Sequence, residues 1–392
     1  MLQVSNPKAL VFFTALLPPF IDPNFSNGTS PVAYPADGLV QPRYQNWSLT
    51  FQRQIGQTLV LEASYIGNHG TRLPHTPQFL GLGWNMNDPK ILALGASVLN
   101  SDINSPAAKA AGIGLPYPGF TGIVAQALRP YPQYQSIEYR DVPIGKSRYD
   151  SFQINLDKRF SNGFQLRTFY VRARLLNNRA ESGQRGGGSV QNPLNAQAGE
   201  WGLSEDDVPN AFSFTSTYEL PIGKNRTGLM SKLLKGWTLN GILRYDSGRP
   251  LVITMNNDLA GLLFNGVKRP NRVDGTAGVS DLSNFDPAKN SFFNKAGWVD
   301  PGPLQFGNSP ARDGSVRGFS NVVEDVSIFK VTSFHERYRL RFEVQGGNVT
   351  NRVVFCDPGI TGSTNWNSGS FGAISLQCNQ PRSVQFGLKF EY

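Results

Sequence analysis

Nine segments of about ten residues, each alternating apolar with polar side chains, constrain the fold of this chain most strongly. The last of them, "SVQFGLKFEY" (383–392), places an apolar or aromatic residue at every second position up to Tyr392. Because neighbouring side chains of a β-strand point to opposite faces, this period of two predicts strands with one apolar face. The other eight segments are residues 45–54, 58–67, 151–160, 164–173, 210–220, 236–248, 321–331 and 336–346.

The connections between these segments alternate between short and long. The first eight segments form four pairs, and the short connections inside the pairs are residues 55–57, 161–163, 221–235 and 332–335. The long connections between successive pairs, and before the last segment, are residues 68–150, 174–209, 249–320 and 347–382. Strands of globular proteins usually have about 5–6 residues, whereas a tilted strand needs about 9–11 residues to cross a bilayer. The predicted strands have the second length. Loops longer than about 15 residues are uncommon in compact domains. Short turns at one end and long loops at the other are typical of outer-membrane barrels.

The two faces of each strand predict two environments. Hydrocarbon offers the backbone no partners, so a membrane sheet must close on itself, with its apolar face outward. A soluble sandwich also alternates, but its apolar face points inward. The residues predicted to face the lumen are Glu62, Asp157, Arg167, Arg244, Arg341 and Lys389. The aromatic residues predicted to form interfacial girdles are Trp47, Tyr65, Tyr170, Tyr218, Trp237 and Tyr245.

Composition excludes several other classes. The net charge is +9, but the 37 Lys and Arg residues are scattered without a run of five, so we expect no nucleic-acid partner. The sequence holds no apolar run of about 18 residues, so no transmembrane helix is predicted. Three His and two Cys leave little material for a metal site. We therefore predict neither an enzyme nor a cofactor, and no catalytic residues.

Several stretches resemble the C-terminal part of the β-barrel of TonB-dependent transporters, and most of all their Oar-like branch. The resemblance covers about residues 40–392, and it rests on the order and spacing of the motifs. The stretches are "WSLTFQRQIGQTLVLEASYIGNHGTRL" (47–73), "YDSFQINLDKRFSNGFQLRTFY" (149–170), "FSFTSTYELPIGK" (212–224), "GWTLNGILRYDSGRPLVI" (236–253), "RLRFEVQGGNVTN" (339–351) and "PRSVQFGLKFEY" (381–392).

The resemblance implies an all-β fold: an antiparallel transmembrane β-barrel portion of about nine meander strands, with short periplasmic turns and long extracellular loops. Members of the family carry a plug and a barrel of about 22 strands. No plug or TonB box precedes residue 45, so we expect an incomplete barrel, from a truncated reading frame or a separately encoded half. Residues 1–44 are then an extracellular-loop remnant, and 45–392 the C-terminal part of the barrel.

The implied function is energised uptake of a scarce nutrient, of the siderophore, oligosaccharide or peptide class, across the cell outer membrane of a Gram-negative bacterium. We expect no transport by this portion alone. The implied partners are outer-membrane lipid and lipopolysaccharide, the barrel-assembly machinery, the missing N-terminal barrel and plug with TonB, and a small-molecule or peptide ligand. The alternatives are a structural or adhesive surface protein that binds a partner through its loops, and a soluble sugar-binding β protein.

Four further features concern the loops and the last strand. Cys356 and Cys378 lie in the last long loop, and no other cysteine competes, so the oxidising periplasm favours a disulfide. The run Glu205-Asp206-Asp207 favours a solvated acidic loop over a calcium site. Loop aromatics either face ligand or pack between loops: Trp84, Tyr117, Tyr131, Tyr134, Trp201, Trp298 and Trp366. The residues that resemble a C-terminal assembly signal are Val384, Phe386, Leu388, Phe390 and Tyr392.

Overall fold

The computed structural model describes residues 32–35, 40–75, 85–134, 137–140, 142–178, 190–192, 200–223, 225, 227–263, 266–334 and 338–392. Most of the predicted remnant 1–44 lies outside these residues. Nine long strands form the wall: β2 (Arg43–Ile55), β3 (Leu59–His75), β5 (Val142–Ser161), β6 (Phe164–Asn177), β8 (Asn210–Glu219), β9 (Trp237–Asp246), β14 (Asn321–Phe334), β15 (Tyr338–Gly347) and β16 (Ser383–Glu391). Shorter strands are β1 (Val32–Pro35), β4 (Ile137–Arg140), β7 (Gly202–Leu203), β10 (Pro250–Leu251), β11 (Asn271–Arg272), β12 (Trp298–Val299) and β13 (Asp313–Arg317).

The nine long strands pair in chain order, from β2 at one edge of the sheet to β16 at the other. Every contact between neighbours is antiparallel. The predicted antiparallel meander of nine strands is therefore confirmed for the described chain. The sheet does not close there, since β2 and β16 do not pair with each other.

Tight turns join the strands at one end of the sheet. Asn162 and Gly163, with φ of 52° and 77°, connect β5 to β6, and residues 56–58 connect β2 to β3. Positive φ at both central residues suits a two-residue hairpin, because its twist then matches that of the strands. The connection between β14 and β15, residues 335–337, lies outside the described residues.

Two strands extend furthest beyond the predicted segments. β3 has 17 residues and β5 has 20, and their pairing continues through register shifts to His75 and Val142. The prediction that residues 68–150 form a loop is therefore wrong at both ends. Gly67 and Gly70 interrupt the alternation, so periodicity does not reveal this part of the ladder.

The buried apolar side chains lie in the loops rather than in the wall. Leu73 is the one such residue of the nine long strands within the described chain. The strand residues on the same side of the sheet as Phe386 and Leu388 form an exposed surface that we call the apolar face. On this face Leu49, Phe386 and Leu388 are 75%, 71% and 72% exposed. The opposite side of the sheet is called the polar face. An apolar face left open to the surroundings is what a membrane wall requires and what a soluble sandwich avoids.

The long loops pack together at the other end of the sheet and form what we call the loop layer. One apolar cluster joins Leu99, Phe120 and Val124 to Leu262. A second joins Phe292 and Trp298 to Phe371. The loops after β3, β9 and β15 thus share cores. The α-helices are α1 (Gly95–Leu99), α2 (Pro106–Ala110), α3 (Val124–Ala127), α4 (Gly228–Leu234) and α5 (Pro358–Thr361), with 3₁₀ turns at Pro89–Leu94 and Lys295–Gly297. No helix of the described residues is long and apolar enough to span a bilayer.

Candidate functional site

The polar face carries the charged residues predicted to line a lumen. The strand register places Glu62, Asp157, Arg167, Arg244, Arg341 and Lys389 together on it. Most pair with a neighbour on the same face: Arg167 with Asp157 at 2.8 Å, Arg341 with Glu343 at 2.9 Å and Lys389 with Glu391 at 2.6 Å. That this face borders a lumen remains a prediction.

A groove of about 390 Å³ lies mainly on the polar face, at the loop ends of β14, β15 and β16. Asn240 donates to Ser327 Oγ at 3.3 Å, and Asp325 accepts from the Asn348 amide at 3.0 Å. Amide and hydroxyl groups of this kind recognise ligands through hydrogen bonds. The polar side chains that line the groove are Asn240, Asp325, Ser327, Gln345, Ser383 and Gln385.

The predicted girdle residues share the apolar face, and most direct a polar atom to a partner. Tyr65 donates to Asp150 Oδ1 at 2.6 Å, Tyr170 to Asn210 Oδ1 at 2.9 Å, and Trp237 Nε1 to the Leu233 carbonyl at 3.1 Å. Such side chains have an apolar body and a polar tip, which suits a membrane interface. Tyr245 shares a hydrogen bond with the Ser320 hydroxyl, and Tyr218 makes an edge-to-face contact with Phe164. The Trp47 ring occupies the space that a side chain at Gly67 would fill.

The residues of the predicted assembly signal also share the apolar face. Val384, Phe386, Leu388 and Phe390 are more than half exposed, and Tyr392 is 95% exposed. Phe390 stacks on Tyr338 of the neighbouring strand, with ring centroids 5.7 Å apart. Recognition of this strand by the assembly machinery remains a prediction.

A buried ion pair fixes one loop of the layer to another. Arg269 donates two hydrogen bonds to the Glu200 carboxylate, at 2.9 and 3.0 Å, and a third to the Ser309 carbonyl. The two side chains are 4% and 8% exposed. Gln191 accepts from the Arg269 amide and donates to the Gly307 carbonyl. The loop after β6 is therefore held against the loop after β9.

The prediction of a solvated acidic loop after β7 agrees with Asp206, whose side chain is 61% exposed, but is wrong for Asp207. Asp207 is 1% exposed and pairs with Arg317 at 2.6 Å, while it also accepts from the Leu175 amide. Asp206 pairs with Arg249 at 2.5 Å. Glu205, the third member, pairs with Arg312 at 3.6 Å. The carboxylates are thus engaged by arginines. No group of three His, Cys, Asp or Glu suited to a metal occurs in the part of the chain that the structure describes.

Arg272 and Asp313 form another pair inside the loop layer. Arg272 Nε lies 3.0 Å from Asp313 Oδ2, and its guanidinium stacks 5.2 Å from the Trp298 ring centroid. Ser315 donates both its amide and its hydroxyl to the same carboxylate. Burial raises the pKa of Asp313, but the hydrogen bonds from Ser315 and Arg272 outweigh it and hold that pKa below its ordinary value.

Acid is therefore expected to destabilise the loop layer through Asp313. Because the pKa of Asp313 is lower in the folded chain than in the unfolded chain, the carboxylate stabilises the fold fully above about pH 3.9. This stabilisation is lost as the pH falls through the folded pKa. Urea unfolding followed by near-ultraviolet circular dichroism should show Asp313→Asn to be less acid-sensitive than the native chain. Asp274→Asn, at an exposed position in the same loop, is the control for the loss of a carboxylate. Equal profiles for native protein and Asp313→Asn would contradict this role.

Cys356 and Cys378 form a disulfide in the last loop, with Cα atoms 4.9 Å apart. Backbone bonds flank the bridge: the Cys356 amide donates to Leu376, and the Cys378 amide donates to Val354. The bridge therefore closes a short antiparallel contact between the two arms of the loop.

Replacing both cysteines with serine should lower the free energy of unfolding by about 3 kcal/mol in the chain-entropy model. The physical reason is that the bridge joins residues 22 positions apart and so restricts the conformations of the unfolded loop. Urea unfolding of the native and variant chains measures this difference. In native protein, reduction should add two hydrogen masses. Free thiols detected before reduction would disprove the pairing.

The loop aromatics proposed as ligand platforms divide by burial. Trp298 is 3% exposed and belongs to the second apolar cluster, so it packs between loops. Trp201 is 39% exposed, whereas Trp366 donates to the Lys295 carbonyl at 3.2 Å and lies under the Lys295 ammonium. Tyr117 packs against Phe120 with ring centroids 5.4 Å apart. Trp84 lies outside the described residues. Of the three loop tryptophans that the structure describes, Trp201 is the most open to solvent.

Comparison with solved structures gives matches of low sequence identity. The ferripyoverdine receptor of the outer membrane of Pseudomonas aeruginosa is 10% identical with a TM-score of 0.37, over 89% of this chain and 27% of that one. The outer membrane transporter YddB from Escherichia coli is 9% identical with a TM-score of 0.39, over 93% and 34%. The ferric citrate transporter FecA is 8% identical with a TM-score of 0.34, over 89% and 31%. This chain thus spans about a third of their length or less.

No curated protein sequence matches the chain significantly. The sequence model described as the outer membrane beta barrel domain matches residues 3–385, which is nearly the whole chain. The antiparallel meander and its exposed apolar face agree with that match. The chain therefore belongs to the outer membrane beta barrel domain family, whose location is the bacterial outer membrane.

Proposed function

We propose that this chain forms the C-terminal barrel portion of a TonB-dependent outer-membrane receptor for a scarce nutrient of the siderophore, oligosaccharide or peptide class. The observation that carries the proposal is a polar groove at the loop end of the sheet, beside a loop layer with its own buried core. The sequence motifs that resemble this transporter class add support.

The groove suits a ligand that carries hydroxyl or amide groups. Gln345 and Gln385 are register partners on β15 and β16, and each amide has donor and acceptor atoms, of which one Gln345 donor is bonded to Glu343. The buried pair of Arg269 and Glu200 holds the loops in one arrangement. A preformed site loses less entropy on binding, which favours capture of a ligand at low concentration.

The proposed partners follow from the surfaces of the wall. The apolar face would contact outer-membrane lipid and lipopolysaccharide, and the barrel-assembly machinery would read β16. Because open sheet edges are unfavourable in hydrocarbon, the edges at β2 and β16 require further strands. We propose that an N-terminal barrel portion supplies them, in the same chain or in a separately encoded one. Its plug would connect the lumen to TonB.

A structural or adhesive role is the second candidate. The loop layer has its own buried apolar clusters, and it exposes apolar side chains such as Leu115, Leu282 and Leu376, which are 50%, 39% and 55% exposed. Exposed apolar groups on a fixed surface suit a macromolecular partner when they form a patch. This role requires binding at the cell surface but no uptake.

Uptake assays in cells that carry the complete gene locus distinguish the two candidates. A panel of labelled ferric siderophores, oligosaccharides and peptides is offered to cells with and without TonB. We expect TonB-dependent uptake of one class, reduced by the double variant Gln345→Ala and Gln385→Ala. Gln165→Ala, an exposed polar-face change on β6 away from the groove, is the matched control. Surface binding without TonB-dependent uptake of any class would refute the receptor and favour adhesion.

A further inference from the structure

The connection between β8 and β9 differs from the tight turns described at the same end of the sheet. It contains α4, and residues 220–237 carry Lys224, Arg226, Lys232 and Lys235 with no acidic residue. Short turns of outer-membrane barrels lie on the periplasmic side. The helix α4 therefore lies at the end of the sheet that is close to the inner leaflet of the outer membrane.

Two side chains of the apolar face hold the C-terminal end of α4. The Leu233 carbonyl accepts from Trp237 Nε1 at 3.1 Å and from Lys330 Nζ at 2.8 Å. Trp237 and Lys330 are register partners on β9 and β14, and the ammonium lies 5.8 Å from the indole centroid. Lys330 pairs in turn with Phe342 of β15, and Phe342 with Leu388 of β16. The helix end is thus attached to the side of the wall that faces lipid.

The helix exposes apolar side chains at this position. Met230 and Leu233, three residues apart, are 58% and 57% exposed, and Ile222 before the helix is 48% exposed. Residues three apart lie on one side of a helix. Lys235, directly after α4, is also exposed. Exposed apolar side chains and an exposed lysine therefore occur within six residues of each other at this end of the sheet.

We propose that α4 is an interfacial helix that binds anionic phospholipid in the periplasmic leaflet. Met230 and Leu233 enter the boundary between headgroups and acyl chains, and the Lys235 ammonium reaches a lipid phosphate. Helices with an apolar side and adjacent lysines lie in the plane of a membrane in this way. The occupant is lipid because the surface continues the apolar face of the wall and carries the complementary charge. The proposal does not depend on transport.

Fluorescent labelling of single introduced cysteines locates the helix. Met230→Cys and Leu233→Cys are each labelled with an environment-sensitive probe in the full chain, reconstituted into phosphatidylcholine vesicles with or without phosphatidylglycerol. Lys289→Cys, at an exposed loop position, is the control. We expect blue-shifted emission and loss of most intensity with a lipid-attached quencher at 230 and 233, but not at 289. Emission at 230 and 233 equal to that at 289 would overturn the proposal.

The charge of Lys235 gives a second measurement. Brominated phosphatidylglycerol should quench the probe at position 233 more than brominated phosphatidylcholine does. Lys235→Gln should reduce that preference by about fivefold, whereas Lys235→Arg should keep it. An unchanged preference in Lys235→Gln would contradict binding of the lipid phosphate. Burial of the probes only after addition of periplasmic extract would identify a protein as the partner and refute the lipid assignment.

Discussion

Arg269→Ala is expected to destabilise the loop layer by about 3–5 kcal/mol, because it leaves the Glu200 carboxylate buried without its partner. The Arg269 guanidinium joins the two loops through Glu200 and also donates to the Ser309 carbonyl of its own loop. The Gln191 hydrogen bond comes from the Arg269 backbone amide and persists in the variant, so the loss should weaken the contact between the loops after β6 and β9. Urea unfolding followed by near-ultraviolet circular dichroism reports this change, since the aromatic clusters of the loop layer give the signal.

Two variants make this prediction specific. Lys289→Ala removes an exposed pair with Asp286, whose side chains are 80% and 41% exposed, and should leave the free energy of unfolding nearly unchanged. Replacing Arg269 with Met together with Glu200 with Leu should recover much of the loss, because neither charge then remains buried. A single variant as stable as the native chain would show that the pair does not hold the layer.

Phe214→Arg is expected to lower the folding free energy by about 2–4 kcal/mol in the membrane. Phe214 lies in the middle of β8, on the apolar face, in register with Leu243 of β9. An arginine there would have to place its charge in the hydrocarbon near the bilayer midplane. The measurement is the amount of folded protein in isolated outer membranes, read from its altered migration when samples are not heated.

The adjacent residue is the matched control for this change. Thr215 lies exposed on the polar face, where the same substitution would place its charge in water, and the like charge of Arg167, its register partner on β6, is offset by Asp157. Thr215→Arg should therefore leave the amount of folded protein nearly unchanged. If Thr215→Arg is the more damaging of the two, the assignment of the faces is reversed.

Periodicity predicts the wall because each strand is a local pattern. The nine long strands of the sheet lie where the alternation places them, and the Asn162-Gly163 turn has the positive φ that its residue types allow. The pattern fails where glycines interrupt it. Backbone pairing continues along β3 and β5, but Gly67 and Gly70 carry no side chain that would mark a face.

The loop layer could not be predicted because its contacts join distant residues. Glu200 and Arg269 are 69 positions apart, and Asp207 and Arg317 are 110 apart. A lone acidic run such as 205–207 is indistinguishable from a solvated loop until the arginines that meet it are known. The helix α4 could not be predicted for a different reason, because seven residues are too few to establish a helical period.

The central claim is that one face of this wall meets membrane lipid and the other meets water. A scan of single cysteines at positions 212–217 of β8 tests it, with a fluorescent probe on each variant in isolated outer membranes. Lipid-attached quenchers should act at 212, 214 and 216, whereas an aqueous quencher should act at 213, 215 and 217. The reverse order, or equal quenching at all six positions, would contradict the account.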